Sequence, residues 1–311
     1  MRSVFPWQQS QWQTMQQLIQ DNRLPHAVLL QGSGGIGKFR FAEVLAQTTL
    51  CEQRSTATAC GFCKQCQLLD GGFHPDLLTV ETVGKGEQIT VDQVREVISL
   101  AEKTAQQGGW KVIIFNRAER MNTSAANALL KLLEEPPENS LLILVCNDLS
   151  RIMATIKSRC RQVKFSTPLP GEVIPWLAEV VSSEHKAREL LEYAEGRPLL
   201  ALKLQEEGLL KERKNLENGW RALAKDEVSP LDCAEACIRV EPQLALDWLY
   251  FYITRNIRAQ EKAENSRKLF RYLDTVMEAR RQAGSSTNPN LQLLWEELMM
   301  DWQAVCRVGS S

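Results

Sequence analysis

The sequence lacks a charge excess of either sign: 37 Lys and Arg stand against 38 Asp and Glu, a formal charge of -1 over 311 residues. Without a basic surplus the whole chain is not drawn to DNA or anionic lipid, so any nucleic-acid role must be local or shared with partners. Long hydrophobic runs are also missing. No stretch approaches the roughly 20 apolar residues that cross a bilayer. The opening MRSVFPWQQSQWQ has neither the charged start nor the apolar run of a signal peptide. No membrane is therefore expected, and a cytoplasmic chain is. No repeat of solenoid length occurs, and the aromatics of the final third, Trp248, Tyr250, Phe251 and Tyr252, are not interleaved with basic residues as a base-stacking surface would be. What is present is apolar material, 44% of the residues, enough for two or three globular domains.

The apolar letters fall into a readable order. Residues 27–31, AVLLQ, form a short run that stops at a glycine cluster, and FRFAEVLAQTTL beyond it has helical spacing. A second run, WKVIIF at 110–115, follows the turn signal Gly108-Gly109. A third, LLILVC at 141–146, follows Pro136, Pro137 and Asn139. Between these two, TSAANALLKLLEE reads as a helix capped by Thr123 or Ser124 and stopped by Pro136, with Ala128, Leu129, Leu132 and Leu133 as core letters. Strands alternating with helices predict an α/β domain with a parallel sheet covered on both faces. After about residue 168 the pattern changes to amphipathic helices, interrupted at Gly196-Arg197-Pro198 and at GSSTNPN, 284–290.

Cysteine is plentiful for a chain of this compartment, with nine residues. Cys51, Cys60, Cys63 and Cys66 follow the spacing C-x8-C-x2-C-x2-C, which lets four thiolates wrap one tetrahedral ion. A site closed by four sulfurs leaves no position for water, so one structural Zn²⁺ is expected rather than a catalytic metal; the plain alternative is four unpaired thiols in a loop. Cys233 and Cys237 share a helical face without further ligands, and Cys146 and Cys160 read as small core residues.

Residues 32–39, GSGGIGKF, fit the phosphate-cradling pattern GxxxxGK, with Gly32, Gly34, Gly35, Gly37 and Lys38 as the candidate cradle. Hydrolysis needs more: a hydroxyl after the lysine to hold Mg²⁺ and acidic residues at the end of a neighbouring strand. Phe39 stands in the first position, and Asn116 and Arg117 in the others, with Glu119 two residues beyond. No Mg²⁺ is therefore expected. Two readings stay open for the loop: silent binding of ATP or ADP through Lys38 and the loop amides, or glycines that only shape a strand-to-helix turn.

HAVLLQGSGGIGK, the cysteine insert, GFHPDLLTV, ITVDQVREV, SAANALLKLLEEPP and TIKSRC follow one another as in bacterial AAA+ clamp-loader subunits of DNA polymerase III, which the chain resembles over about residues 6–205. Intact members carry the hydroxyl and the acidic pair, so within the family the chain is similar to the non-hydrolysing type and not to the ATP-hydrolysing gamma/tau subunit. The resemblance implies an AAA+ base domain with a zinc insert over 1–168, a small helical lid over 169–208 and an all-α collar over 209–311. It implies gamma/tau and delta as partners in a hetero-pentamer, acting on a sliding clamp and primed DNA. At Arg159, within Ser158-Arg159-Cys160, it implies an arginine finger toward the nucleotide of an adjacent subunit. Flanking Lys157 and Arg161 read as solvated or interfacial charges. Leu199 aligns with an arginine that senses nucleotide in active members, with Arg197 close by. The rival reading is an independent ATPase in which Glu119 takes the acidic role, and a weaker one is a free-standing zinc DNA-binding module.

Overall fold

The apolar runs at 27–31, 110–115 and 141–146 become adjacent strands of one sheet in the computed structural model, which describes residues 3–53, 58–83, 88–103, 105–107, 109–259, 263–283 and 290–307. The chain divides into two units, Met1–Lys203 and Leu204–Ser311. In the first, the strands β1 (Ala27–Gln31), β2 (Leu77–Val80), β3 (Lys111–Phe115), β4 (Ser140–Cys146) and β5 (Arg161–Lys164) lie in the order β2-β3-β4-β1-β5. All neighbours are parallel, with Ala27 facing Leu142 and Ile113 facing Leu142 from the other side.

Side chains alternate across the sheet, and each face has its own core. Val28, Leu30, Val112, Ile114, Leu141 and Ile143 pack on one side against α1 (Gln9–Gln20) and α2 (Lys38–Leu50), through Met15, Ile19, Phe41 and Leu45. Leu29, Ile113, Phe115, Leu142 and Leu144 pack on the other, with residues of α4 (Val91–Ala101), α5 (Thr123–Glu134) and α6 (Ala154–Arg159). A short helix α3 (Lys64–Asp70) belongs to the cysteine insert. This is the three-layered α/β base that the AAA+ resemblance implies, and burial on both faces is why the central strands read as continuous apolar runs.

The two edge strands were not visible as apolar runs. Each pairs with a single neighbour, and in β5 only Val163 of Arg161–Lys164 is buried, so its sequence is mostly polar. The cap of α5 is also different from the expectation. Asn122 has the extended backbone of a cap and its side chain accepts the Ala125 N–H, whereas Thr123 and Ser124 already lie inside the helix. Gly108 and residues 284–289 of the second interruption lie outside the described residues.

After β5 the described regular elements are all helical: α7 (Pro170–Val181), α8 (Glu184–Tyr193) and α9 (Pro198–Glu206), in which the division between the units falls. Gly196, at φ +76°, turns the chain between α8 and α9. The second unit holds α10 (Leu209–Ala224), α11 (Pro230–Ile238), α12 (Pro242–Ala259), α13 (Ala263–Ala283) and α14 (Leu291–Arg307). Trp220, Trp248 and Trp295 are fully buried there. The Trp302 indole donates to the Trp220 carbonyl at 2.9 Å and the Tyr272 hydroxyl to the Leu298 carbonyl at 2.8 Å, so the polar ends of these two buried rings are satisfied, whereas the buried indole N–H groups of Trp248 and Trp295 meet no acceptor among the described residues. Glu217 accepts from Arg213 at 3.1 Å and from Arg255 at 2.7 Å, which neutralises a carboxylate that is 4% exposed. Among the described residues no helix is long and apolar enough to cross a membrane.

Candidate functional site

The glycine loop leaves β1 after Gln31 and ends at Gly37, the cap of α2. Two of its glycines are required by close packing. A Cβ on Gly32, at φ +152°, would stand 2.2 Å from the Phe165 carbonyl oxygen, and one on Gly37, at φ +89°, would stand 2.5 Å from the Phe5 ring. The segment before α1 clamps the same loop. Trp7 Nε1 and Gln8 Nε2 each donate to the Ile36 carbonyl at 3.0 Å, and Phe5 stacks on Trp7 with the edge of Trp176 against both. From the other side the Leu199 N–H donates to the Gly35 carbonyl at 2.9 Å.

Lys38 does not point into open space. Its ammonium donates to the carbonyls of Gly32 at 2.7 Å and Ser33 at 2.6 Å, and to Asn147 Oδ1 at 2.8 Å, and the residue is 3% exposed. Burial lowers its pKa to about 8, while the charge of Glu119 pulls it up. Two loop carbonyls and the Asn147 side chain thus take the three N–H bonds that an ammonium can give. Glu119 sits in a short 3-10 turn, 118–120, past the end of β3; it is buried and accepts the Asn147 N–H at 3.1 Å.

Beside the loop lies an open cleft of about 520 Å³, bordered by Gly34, Gly35, Gly37, Lys38, Phe39, Asn116, Arg117 and Leu199, with Phe5 and Asn147. The room is ample for a small molecule, so the lining decides the chemistry. Phe39 packs toward the core face of α1 and α2 and brings no hydroxyl. Asn116 donates to Glu81 at 3.4 Å. The carboxylate on the lining is Glu43, from α2 and not from a strand end. Arg197, near the expected sensor position, bonds to Glu195 and to the Ala194 carbonyl at 3.2 Å each and does not line the cleft. Asn147, Phe5, Trp7 and Gln8 were not singled out by sequence reasoning. Asn147 carried a usable signal, as the first polar residue after an apolar strand.

The four cysteines do converge. Their sulfurs lie within 4.8 Å of one another, with Cys51 to Cys63 at 4.0 Å and Cys60 to Cys66 at 3.9 Å. Tetrahedral zinc with bonds of about 2.3 Å places its sulfurs about 3.8 Å apart, so the cluster has the size the ion needs. Backbone N–H groups of Cys60 and Gln53 donate to Cys51 Sγ, that of Cys63 to Cys60 Sγ and that of Cys66 to Cys63 Sγ, all at 3.3–3.5 Å, an arrangement that favours thiolates. Burial pushes the thiols of Cys51 and Cys66 up. At Cys60 it is outweighed by the N–H groups of Phe62 and Cys63, which hold that thiol at about 7. Outside the cluster, burial raises Cys146 to about 12 and Cys160 to about 11, as befits inert core thiols. Cys237 receives the Trp220 indole N–H at 3.4 Å in the second unit. The insert is tied to β2 by His74, whose Nδ1 accepts the Asp76 N–H at 3.1 Å and whose Nε2 then donates to Gln65 at 2.9 Å.

Arg159 closes α6, held in place by buried Ile156 and Cys160 on either side. Its Nη1 donates to the Thr155 carbonyl at 3.1 Å and its Nη2 pairs with Glu134 at 2.6 Å; the side chain is 36% exposed. It does not line the Lys38 cleft. Lys157 is half-buried and Arg161 exposed.

Comparison with known proteins falls on both units. A family model described as DNA polymerase III, delta subunit, matches residues 7–168, and one for the C-terminal part of that subunit matches residues 252–304. DNA polymerase III subunit delta' of Pseudomonas aeruginosa is 36% identical over 98% of this chain and 99% of its own length. The same-named subunit of Haemophilus influenzae is 31% identical over 86% and 82%. Subunit tau of Escherichia coli is 31% identical over 67% of this chain but only 31% of its own length.

Proposed function

The chain belongs to the delta' family of DNA polymerase III subunits, and on that premise we propose that it is a clamp-loader subunit that hydrolyses no ATP itself and governs hydrolysis next door. One observation carries the reading: the loop lysine, the residue that would hold a nucleotide's phosphates, spends its three donors on Gly32, Ser33 and Asn147. A cleft with Phe39 in place of a hydroxyl and no strand-end carboxylate supports the same conclusion. Bound there, a phosphate would have to displace those oxygens from Lys38. The glycines then serve the turn, as the contacts of Gly32 and Gly37 support.

In this reading Arg159 acts in trans. A guanidinium on the rim of α6 can meet the γ-phosphate of a neighbouring subunit and stabilise the charge that develops as it transfers, an effect worth about 10³ to 10⁵ in rate in the strongest cases. The assembly is a cytoplasmic hetero-pentamer with gamma/tau and delta, in which residues 1–168 form the base, 169–208 the lid and 209–311 the collar. It places a sliding clamp on primed DNA. Cys51, Cys60, Cys63 and Cys66 hold one Zn²⁺ that cross-links the end of α2 to α3, a role in folding and not in chemistry.

The test is direct. The purified chain turns over no ATP above background, and the reconstituted complex loses most of its DNA-stimulated turnover on Arg159→Ala. Hydrolysis by the isolated chain that disappears with Lys38→Ala would instead establish it as an ATPase in its own right.

A further inference from the structure

We propose that Glu134 is a positioning residue for Arg159, orienting its guanidinium for the nucleotide of the adjacent subunit. This rests on the finger reading of Arg159. Alone, the arginine is tethered only within its own helix, by Nη1 to the Thr155 carbonyl one turn back. The second contact, Nη2 to Glu134 Oε1 at 2.6 Å, comes from the end of α5. Two anchors on two helices fix the plane of the fork, where one would leave it free to swing. The helices themselves cannot shift easily, since Leu129, Leu132 and Leu133 of α5 share one buried cluster with Ile156 and Cys160.

The placement of Glu134 makes little sense for α5 by itself. A carboxylate in a last helical turn opposes the negative end of the macrodipole. The pair is also half exposed, at 36% and 51%, so screening leaves it little weight in the fold. Its consequence is geometric. A guanidinium has five N–H donors, and the two contacts use one from each Nη, leaving the others for an incoming phosphate. A long side chain already ordered loses less freedom when that phosphate arrives.

The experiment measures DNA-stimulated ATP turnover of the reconstituted complex with wild-type chain, Glu134→Ala, Glu134→Gln, Arg159→Ala and the Glu134→Ala/Arg159→Ala pair. Glu134→Ala should lower kcat about threefold to tenfold, the cost of re-ordering one long side chain, with KM for ATP unchanged. Glu134→Gln, whose amide oxygen can accept the same N–H, should recover much of the rate. In the Arg159→Ala background Glu134→Ala should do nothing further. Full kcat in Glu134→Ala, or a loss equally large with and without Arg159, overturns the assignment of Glu134 while leaving the finger intact. Full kcat in Arg159→Ala removes the finger, and the role of Glu134 with it.

Discussion

Gly32→Ala should be among the more damaging single-atom changes available in the loop, for reasons that have nothing to do with nucleotide. The new Cβ would lie 2.2 Å from the Phe165 carbonyl oxygen and 3.1 Å from its carbon. Relief requires a backbone shift of about 1 Å, the overlap that overpacked cores resist. Phe165 cannot yield it cheaply: its N–H bonds Gln31 at 2.8 Å, and its ring is buried edge-on against Phe41 at 5.0 Å. Overpacking of this kind costs about 1–3 kcal/mol, and a side chain at φ +152° adds about 1–3 kcal/mol of backbone strain. A loss of about 2–6 kcal/mol is a large part of the 5–15 kcal/mol typical of a domain. Gly34→Ala is the control, since a Cβ there meets nothing nearer than Asn147 Oδ1 at 3.7 Å, and its φ is ordinary; its effect should stay within about 0.5 kcal/mol. Urea denaturation with and without saturating ATP or ADP checks both. A Gly32→Ala midpoint equal to wild type refutes the packing argument. Nucleotide protection of the wild type that Gly34→Ala abolishes would mean that the loop is kept for phosphate after all.

Other outcomes follow from the same geometry. Elemental analysis should find about one zinc per chain, and Cys63→Ser should release it and lower the denaturation midpoint; protein purified without chelator and free of zinc would remove the metal assignment. Burial holds the His74 ring below its ordinary value of 6.5, against the pull of Asp76, so the unfolded chain binds the proton first as pH falls. Stability should therefore be full above about 6.5 and decline below it, with the slope reduced in His74→Gln; equal slopes would place the pH sensitivity elsewhere. In the second unit, Glu217→Ala removes the buried carboxylate shared by Arg213 and Arg255 and should lower the midpoint of a thermal melt by more than the loss of a surface pair, worth about 0–1 kcal/mol, would; a melt equal to wild type would remove the pair from the unit's stability.

Local chemistry decided a good part of this protein before any fold was seen. The central strands, the cysteine spacing and the replacement of a hydroxyl by Phe39 are properties of short segments, where burial imposes its pattern on consecutive letters. The edge strands escaped because they are buried on too few positions to leave such a pattern. What only the tertiary structure could decide is which distant groups meet. Lys38 and Asn147 are 109 residues apart and touch because β4 lies beside β1 in the sheet, and Glu134 reaches Arg159 because α5 and α6 share one buried cluster. A lysine facing a vacant cradle and one bound to its own loop have the same sequence; strand order and packing separate them.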